Sequence, residues 1–353
     1  MKKKSLSRRG LLRLSAGLGG YALMPRVVSA AEVSTVTPQL IDAARKEGKL
    51  AFYTAVDLQV AEKIAKSFEA RYPGISVRVE RSGSERVFQR IGQEYTTRIY
   101  AADVINTTDA AHFVIWKRDG WLTPYVPEDV AQNYASEHRD PDGMYASWRI
   151  SLSPIAYNTN LVKPADAPKS FGDLLDPKWT GKIVKAHPSY SGTVVTATFQ
   201  IVRNLGWDYL EKLGKQKVLQ VQSSTEPPKK LALGERAVMA DGNEYNVLLL
   251  KEAGQPLEVV YPTEGTPLIV GPSAVLKNAP NPNAARLFQS YLYSAEAQQF
   301  MIDVGDLRSF HKQTREKPGH KPMSEIKLMK DDPEGVVSEV EEIKKRYAAY
   351  FGT

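Results

Sequence analysis

Between Lys49 and Arg118 the chain alternates three times between strand-like and helix-like runs, and this rhythm restricts its fold more than any other feature. Lys49–Ala55 (KLAFYTA) is β-rich and almost wholly apolar, the signature of a parallel strand buried on both faces. Residues 57–71 then switch to helical spacing, with Ala61, Ile64, Ala65 and Phe68 on one face and Pro73-Gly74 as the stop. Ile75, Val77 and Val79 alternate with polar residues as a second strand. A helix over about 85–94, an apolar strand over 102–106 and a helix over 109–118, stopped by Gly120, complete the series. This order calls for a mainly parallel sheet flanked by helices.

Near Ile150 the texture changes. Residues 151–158 read as a strand leaving the first unit, and a turn-rich stretch carries Pro164 and Pro168. A second α/β series follows: strands at 181–186, 218–222 and 237–240 alternate with helices at 192–204, 228–233 and 245–253. Residues 268–277 (LIVGPSAVLK) form a strand expected to cross back, and helices follow at 282–293 and 295–304. The tail holds an amphipathic helix over 334–351 able to pack on either unit. The expected plan is an α/β protein with two lobes and a ligand cleft at the hinge. Its parts are a cleaved signal (1–31), an N-terminal lobe (32–150), a second lobe (151–267), a return to the first lobe (268–310) and a helical tail (311–353).

The signal reading rests on a basic start, a weakly apolar stretch from Leu14 to Met24, and small residues at Val28-Ser29-Ala30-Ala31. Ser7-Arg8-Arg9-Gly10-Leu11-Leu12-Arg13 has the form of a twin-arginine export signal. Export to the periplasm follows from it. The signal also accounts for the charge. The whole chain has 47 bases and 40 acids, but residues 1–31 hold seven bases and no acid, which leaves 40 against 40. A nucleic-acid binder needs a basic excess, so nucleic acid is excluded as a partner. The absence of cysteine removes disulfides, thiolate metal sites and iron–sulfur clusters, and no cofactor is expected.

Enzyme motifs are missing: there is no G-x-x-x-x-G-K-[ST], H-E-x-x-H or G-x-S-x-G, and the five histidines never fall at i,i+3 or i,i+4. The polar loops at strand ends carry more information, because ligands of parallel α/β sheets bind beyond the carboxyl ends of the strands. Those loops are Thr54 with Asp57, Ser82–Arg86, Asn106–Asp109, Ser189–Thr193 and Asp241–Tyr245. Each opens a helix, where free N–H groups hold anions, although Ser, Thr, Asp and Asn are also ordinary helix caps.

Over nearly all of the mature length the chain resembles type II periplasmic solute-binding proteins of the ferric-iron-binding group. The resemblance rests on FYTAVDLQVAEKIAKSFEARYPGI, ADVINTTDAAHF, GWLTPY, IAYNTNLV, DPKWTGKI, PSYSGTVV, LLKEAG and PSAVLKNAPNPNAARLFQSYLYSAEAQQFM, in that order. It implies the soluble receptor of an ABC importer, a monomer and not an enzyme, that closes on a small solute and delivers it to a membrane permease. Relatives bind ferric ion, phosphonates or sugar phosphates. Iron-binding members use a histidine, a glutamate and a tyrosine pair; ungapped matching puts these at Asp57, at Thr108 beside Asp109, and at Glu244-Tyr245. Only one of the four ligand types is kept in place, which favours a small anion over iron. The expected site is Asp57, Ser84, Arg86, Thr108 and Asp109 from the first lobe with Ser191, Gly192, Thr193, Glu244 and Tyr245 from the second. Amides at 191–193 would hold the anionic group and Arg86 would neutralise it. Tyr245 would stack or coordinate, and Asp57 and Glu244 would receive an amino group or metal. Ferric-iron uptake and an exported hydrolase are the alternatives.

Overall fold

The computed structural model describes residues 32–353; the signal and its twin arginines lie outside them. In chain order the elements are β1 (Val33–Ser34), α1 (Pro38–Glu47), β2 (Lys49–Thr54), α2 (Leu58–Arg71), β3 (Ser76–Arg81), α3 (Ser84–Thr97), β4 (Val104–Asn106), α4 (Ala110–Arg118), β5 (Val126–Pro127), α5 (Glu128–Asn133), β6 (Ala146–Leu152) and β7 (Ile155–Asn158). There follow β8 (Ile183–Ala186), α6 (Gly192–Leu205), α7 (Trp207–Gly214), β9 (Leu219–Val221), α8 (Pro227–Ala232), β10 (Val238–Met239), α9 (Glu244–Glu252), β11 (Leu257–Val260), β12 (Leu268–Val275), α10 (Pro282–Tyr293), α11 (Ala295–Gly305) and α12 (Pro333–Phe351).

Two five-stranded sheets, each flanked by helices, form the two lobes. The first has the order β3-β2-β4-β12-β6 and the second β11-β7-β10-β8-β9. Parallel pairing joins β3, β2 and β4, whereas β12 runs antiparallel to both β4 and β6. In the second sheet β10, β8 and β9 are parallel, and β7 runs antiparallel to β10 and β11. The strand expected over 151–158 is two strands in different sheets. Its break falls at Ser153-Pro154, where proline lacks an N–H and holds the preceding residue extended. The return crossover lies beside it, with the Ser153 N–H on the Pro267 carbonyl at 3.0 Å. Pro272 is tolerated inside β12 because the β6 register shifts between Gly271 and Pro272.

The first core gathers under β2 and β6, where Phe52 meets Trp148 and Phe288 edge-on at centroid distances of 5.7 and 5.2 Å. The second lies around Ile155, Phe171, Trp179 and Val238. Helix α12 seats Val336, Ile343 and Tyr347 among Val195, Phe199, Val202 and Leu210 of the second lobe. It also reaches the first lobe, through Ala111 and through Lys344 Nζ on Glu85 Oε2 at 2.7 Å. Among the described residues no helix is long and apolar enough to cross a membrane.

Candidate functional site

The loops that follow β2, β3 and β4 face those that follow β8, β9 and β10 across a closed cleft. A void of about 10 Å³ remains between them, lined by Arg81, Gly83, Ser84 and Thr108 on one side and Tyr190, Ser191, Thr193, Ser224 and Asn243 on the other. That is room for about one water-sized group. The lobes touch directly around it. Arg81 Nη2 donates to Ser223 Oγ at 3.0 Å, Arg86 Nη2 to Gln222 Oε1 at 2.7 Å, and the Asp57 N–H to the Tyr245 hydroxyl at 3.2 Å.

Within each wall the small polar side chains hold one another. Ser84 Oγ and Thr108 Oγ1 lie 2.6 Å apart, and the Thr108 N–H donates to Ser84 Oγ at 3.0 Å. Opposite them Ser191 bonds Ser224, and Thr193 Oγ1 donates to Asn243 Oδ1 at 3.3 Å. The helix starts divide into two kinds. Asp57 and Asp109 cap α2 and α4, accepting from the Gln59 and Ala111 N–H groups at 3.0 and 2.9 Å. Helices α3, α6 and α9 open at Gly83, Ser191 and Asn243 with no side-chain cap, so their first N–H groups keep their donor capacity. Ser191 is thus not the ordinary cap that its residue type suggests.

Arg149, in the middle of β6, is the most unusual group here. It is 1 % exposed, its Nε donates to Asn106 Oδ1 at 3.3 Å, and both terminal nitrogens lack any partner. Burial lowers its pKa to about 10; nearby Arg81 pushes the same way and Tyr245 opposes. The Arg81 Nε is likewise buried and unpartnered. Among the described residues neither arginine has a carboxylate within ion-pairing distance. A buried charge without a counterion is costly, so the natural complement of this pair is an anion.

Two expected roles change. Glu244 is not among the residues lining the void and is fully engaged: its oxygens accept from Arg308 Nε and Nη2, both at 2.9 Å, and from the Tyr261 hydroxyl. It is closed to an amino group or metal because a buried ion pair already satisfies it. Arg86 is exposed at the rim, over the Tyr190 ring and bonded to Gln222, whereas Arg81 lines the void and Arg149 is buried behind it against Asn106. Tyr245 is buried with its hydroxyl on Asp57, and burial raises its pKa. Asp109 packs its Cβ against Gly192, and burial pushes its pKa up to about 6, against the pull of His112 and with the push of Glu85. Behind it Glu85 contacts His112 Nε2 at 3.1 Å and Lys344; these two outweigh burial and bring it down to about 2.

The sequence reading missed Arg149, Arg81, Asn106 as a side-chain partner, and Ser223-Ser224-Thr225. The last follows strand β9 as the recognised loops follow theirs, so the same rule would have found it. Arg149 was visible as a lone charge between Trp148 and Ile150. Two side-chain sets among the described residues have metal-ligand composition, Glu85–Asp109–His112 and Glu252–Asp306–His320. Each already holds a lysine ammonium, Lys344 on Glu85 and Lys317 between Glu252 and Asp306.

A family model described as bacterial extracellular solute-binding protein matches residues 54–299. Among curated relatives, a Haemophilus influenzae protein is 28 % identical over 281 residues, 74 % of this chain and 78 % of its own. Iron uptake protein A2 of Synechocystis is 26 % identical over 249 residues, 63 % of this chain and 68 % of its own. Among solved structures, the periplasmic binding protein AfuA of Actinobacillus pleuropneumoniae, with exogenous fructose-6-phosphate bound, superposes with a TM-score of 0.78 at 25 % identity, covering 87 % of this chain and 99 % of that one. Iron-bound HitA of Pseudomonas aeruginosa gives 0.73 at 24 % identity, covering 85 % and 99 %. With 54–299 matched and both lobes superposed, this chain belongs to the bacterial extracellular solute-binding proteins, in the type II, ferric-binding-like group that serves ABC transporters.

Proposed function

We propose that the cleft captures a small oxyanion, a phosphate ester, phosphonate or carboxylate, for delivery to a membrane permease. The observation that carries this reading is Arg149, buried with both terminal nitrogens unpaired and near enough to Arg81 for the two charges to repel, while Arg81 lines the void together with Ser191 and Thr193 at the uncapped start of α6. A helix start adds roughly half a positive charge to the two guanidinium groups. Ser84, Thr108, Ser191, Thr193, Ser224 and Asn243 supply neutral donors around the same void. The fructose-6-phosphate held by AfuA is a ligand of this chemistry.

Ferric iron is the second reading, favoured by the likeness to Iron uptake protein A2. Hard cations take oxygen ligands, and here Tyr245 stands beside Arg149 while Glu244 is bound to Arg308. A cation would meet repulsion where an anion meets attraction. The relatives with descriptive names are binding and uptake proteins, and no nucleophile–base pair lines the void, so a hydrolase is disfavoured. We read the mature protein as a monomer with no nucleic-acid partner, and residues 1–31 as a twin-arginine export signal.

The test is a melting-temperature screen of phosphate esters, phosphonates and carboxylates. At about 100 times its dissociation constant a ligand adds roughly 2.7 kcal/mol to the native state. Response to neutral or cationic solutes alone would sink the anion reading. A one-to-one ferric complex with a visible phenolate band, lost in Tyr245→Phe, would establish the iron reading instead.

A further inference from the structure

Two glycines stand on opposite walls of the cleft, each against the facing wall, and neither is required by its own backbone. Gly83 has φ −63° and ψ 149°, open to any residue. Gly192 lies in the first turn of α6 and is not among the glycines with positive φ, and glycine is a poor helix former there. What forbids a side chain is the opposite lobe. A Cβ on Gly83 would lie 2.6 Å from the Tyr190 carbonyl oxygen. One on Gly192 would lie 2.8 Å from Asp109 Cβ and 3.0 Å from Ser84 Cβ. These obstacles are backbone or Cβ atoms, which no rotamer change can move. Gly92, further along α3, would meet nothing within 4 Å.

We infer that Gly83 and Gly192 set the height to which the cleft closes, and thereby the size of solute it retains; this rests on reading the cleft as the solute site. A methyl at residue 83 must rise by about 0.8 Å to move from 2.6 Å to the 3.4 Å of ordinary contact. A gap of 0.5–1 Å already forfeits roughly a quarter to a half of the attraction across a packed contact. The same displacement lengthens the Arg81–Ser223 and Arg86–Gln222 bridges, now 3.0 and 2.7 Å. A small anion reached from both walls loses contacts on one side when closure stops short. A bulkier solute, which already holds the lobes further apart, loses less.

The chain has no cysteine, so Arg86→Cys with Gln222→Cys gives one thiol pair across the cleft mouth. Its cross-linking rate with a short bis-maleimide reports closure whether or not a solute is known. Gly83→Ala and Gly192→Ala are each expected to slow cross-linking about tenfold at unchanged melting temperature, with Gly92→Ala leaving the rate alone. Parental rates in folded Gly83→Ala and Gly192→Ala would overturn the inference; if one variant fails to fold, the other decides. In the cysteine-free chain, Gly83→Ala should weaken inorganic phosphate several-fold more than fructose 6-phosphate. Equal or no loss would remove the role in size selection. If the unsubstituted chain responds to neither anion, the proposed solute class fails while cross-linking still decides the closure contact.

Discussion

Two arginines are buried in this molecule in opposite ways. Arg308 is 6 % exposed, and its guanidinium is matched to Glu244 on two nitrogens, to Glu316 at 2.8 Å and to the Lys321 carbonyl at 2.9 Å. Arg149 is 1 % exposed and has one bond, to an amide oxygen. The first arrangement holds the return segment after α11 against α9 and leaves nothing for a ligand. The second leaves a charge that no acid among the described residues pairs, which is the basis of the anion proposal. Satisfaction of the hydrogen-bonding groups, and not burial or charge as such, is what separates the two.

The largest expected effect comes from breaking the satisfied pair. Arg308→Met leaves the Glu244 carboxylate buried with only Tyr261, and should cost about 3–5 kcal/mol of unfolding free energy in urea titration. Adding Glu244→Gln should recover a large part of it. A single-variant loss below about 1 kcal/mol would mean that water reaches Glu244 and that the contrast between the two arginines is false.

The acids of the first wall repeat the comparison. Glu85 is paired with His112 and Lys344 and lies low, at about 2, whereas Asp109 is raised from 3.8 to about 6. A carboxyl raised on folding favours the native state fully below its unfolded pKa near 4, and that contribution is lost as the pH climbs through about 6. A shift of about two units corresponds to about 3 kcal/mol. Asp109→Asn keeps a capping side chain, so stability at pH 7 should rise by up to that amount and the fall between pH 4 and 6 should flatten. Urea titrations at pH 4, 5, 6 and 7 read it out; an unchanged slope would assign the fall to Asp331 instead, whose carboxyl burial raises from 3.8 to about 7.

Arg149→Met comes third in size. Removing an unpaired buried charge should raise the stability of the free protein by about 1–3 kcal/mol, while the anion-induced rise in melting temperature disappears. Stabilisation with the anion response intact would move the solute elsewhere; destabilisation would make Arg149 a second Arg308.

Most of the fold was legible because buried parallel strands and amphipathic helices each leave a periodic trace. The helices at 282–293 and 192–205 were read almost to their ends. Helix α1, helix α7 and strand β11 were not foreseen, although α1 carries its own signals in the Thr37 cap, Pro38 in the first turn and Gly48 at its end, and α7 buries Tyr209, Leu210 and Leu213 on one face. In the site, the loops could be found from strand ends, because topology alone sends them to the cleft. The fate of Glu244 depends on Arg308, 64 residues away, and no spacing rule reports such a partner. The unpaired state of Arg149 is equally hidden, since it is a property of every group around it.

The smallest effect concerns the two kinds of helix start, and it tests whether the sequence reading of caps can be replaced by a structural one. Asp57 accepts the Gln59 N–H and caps α2; Ser191 bonds Ser224 and leaves the start of α6 open. Asp57→Ala should cost about 1 kcal/mol in urea, as loss of a cap does. The anion response should then hold or strengthen, since a negative charge leaves the cleft wall beside Tyr245. Ser191→Ala removes only a hydroxyl pair, so the free protein should lose less than that, while the response to phosphate esters weakens. If Asp57→Ala abolishes the response, Asp57 touches the solute and the ligand carries a donor there. If Ser191→Ala leaves the response whole, the open start of α6 is not where the anion rests, and Arg149 with Arg81 must hold it from the first lobe alone.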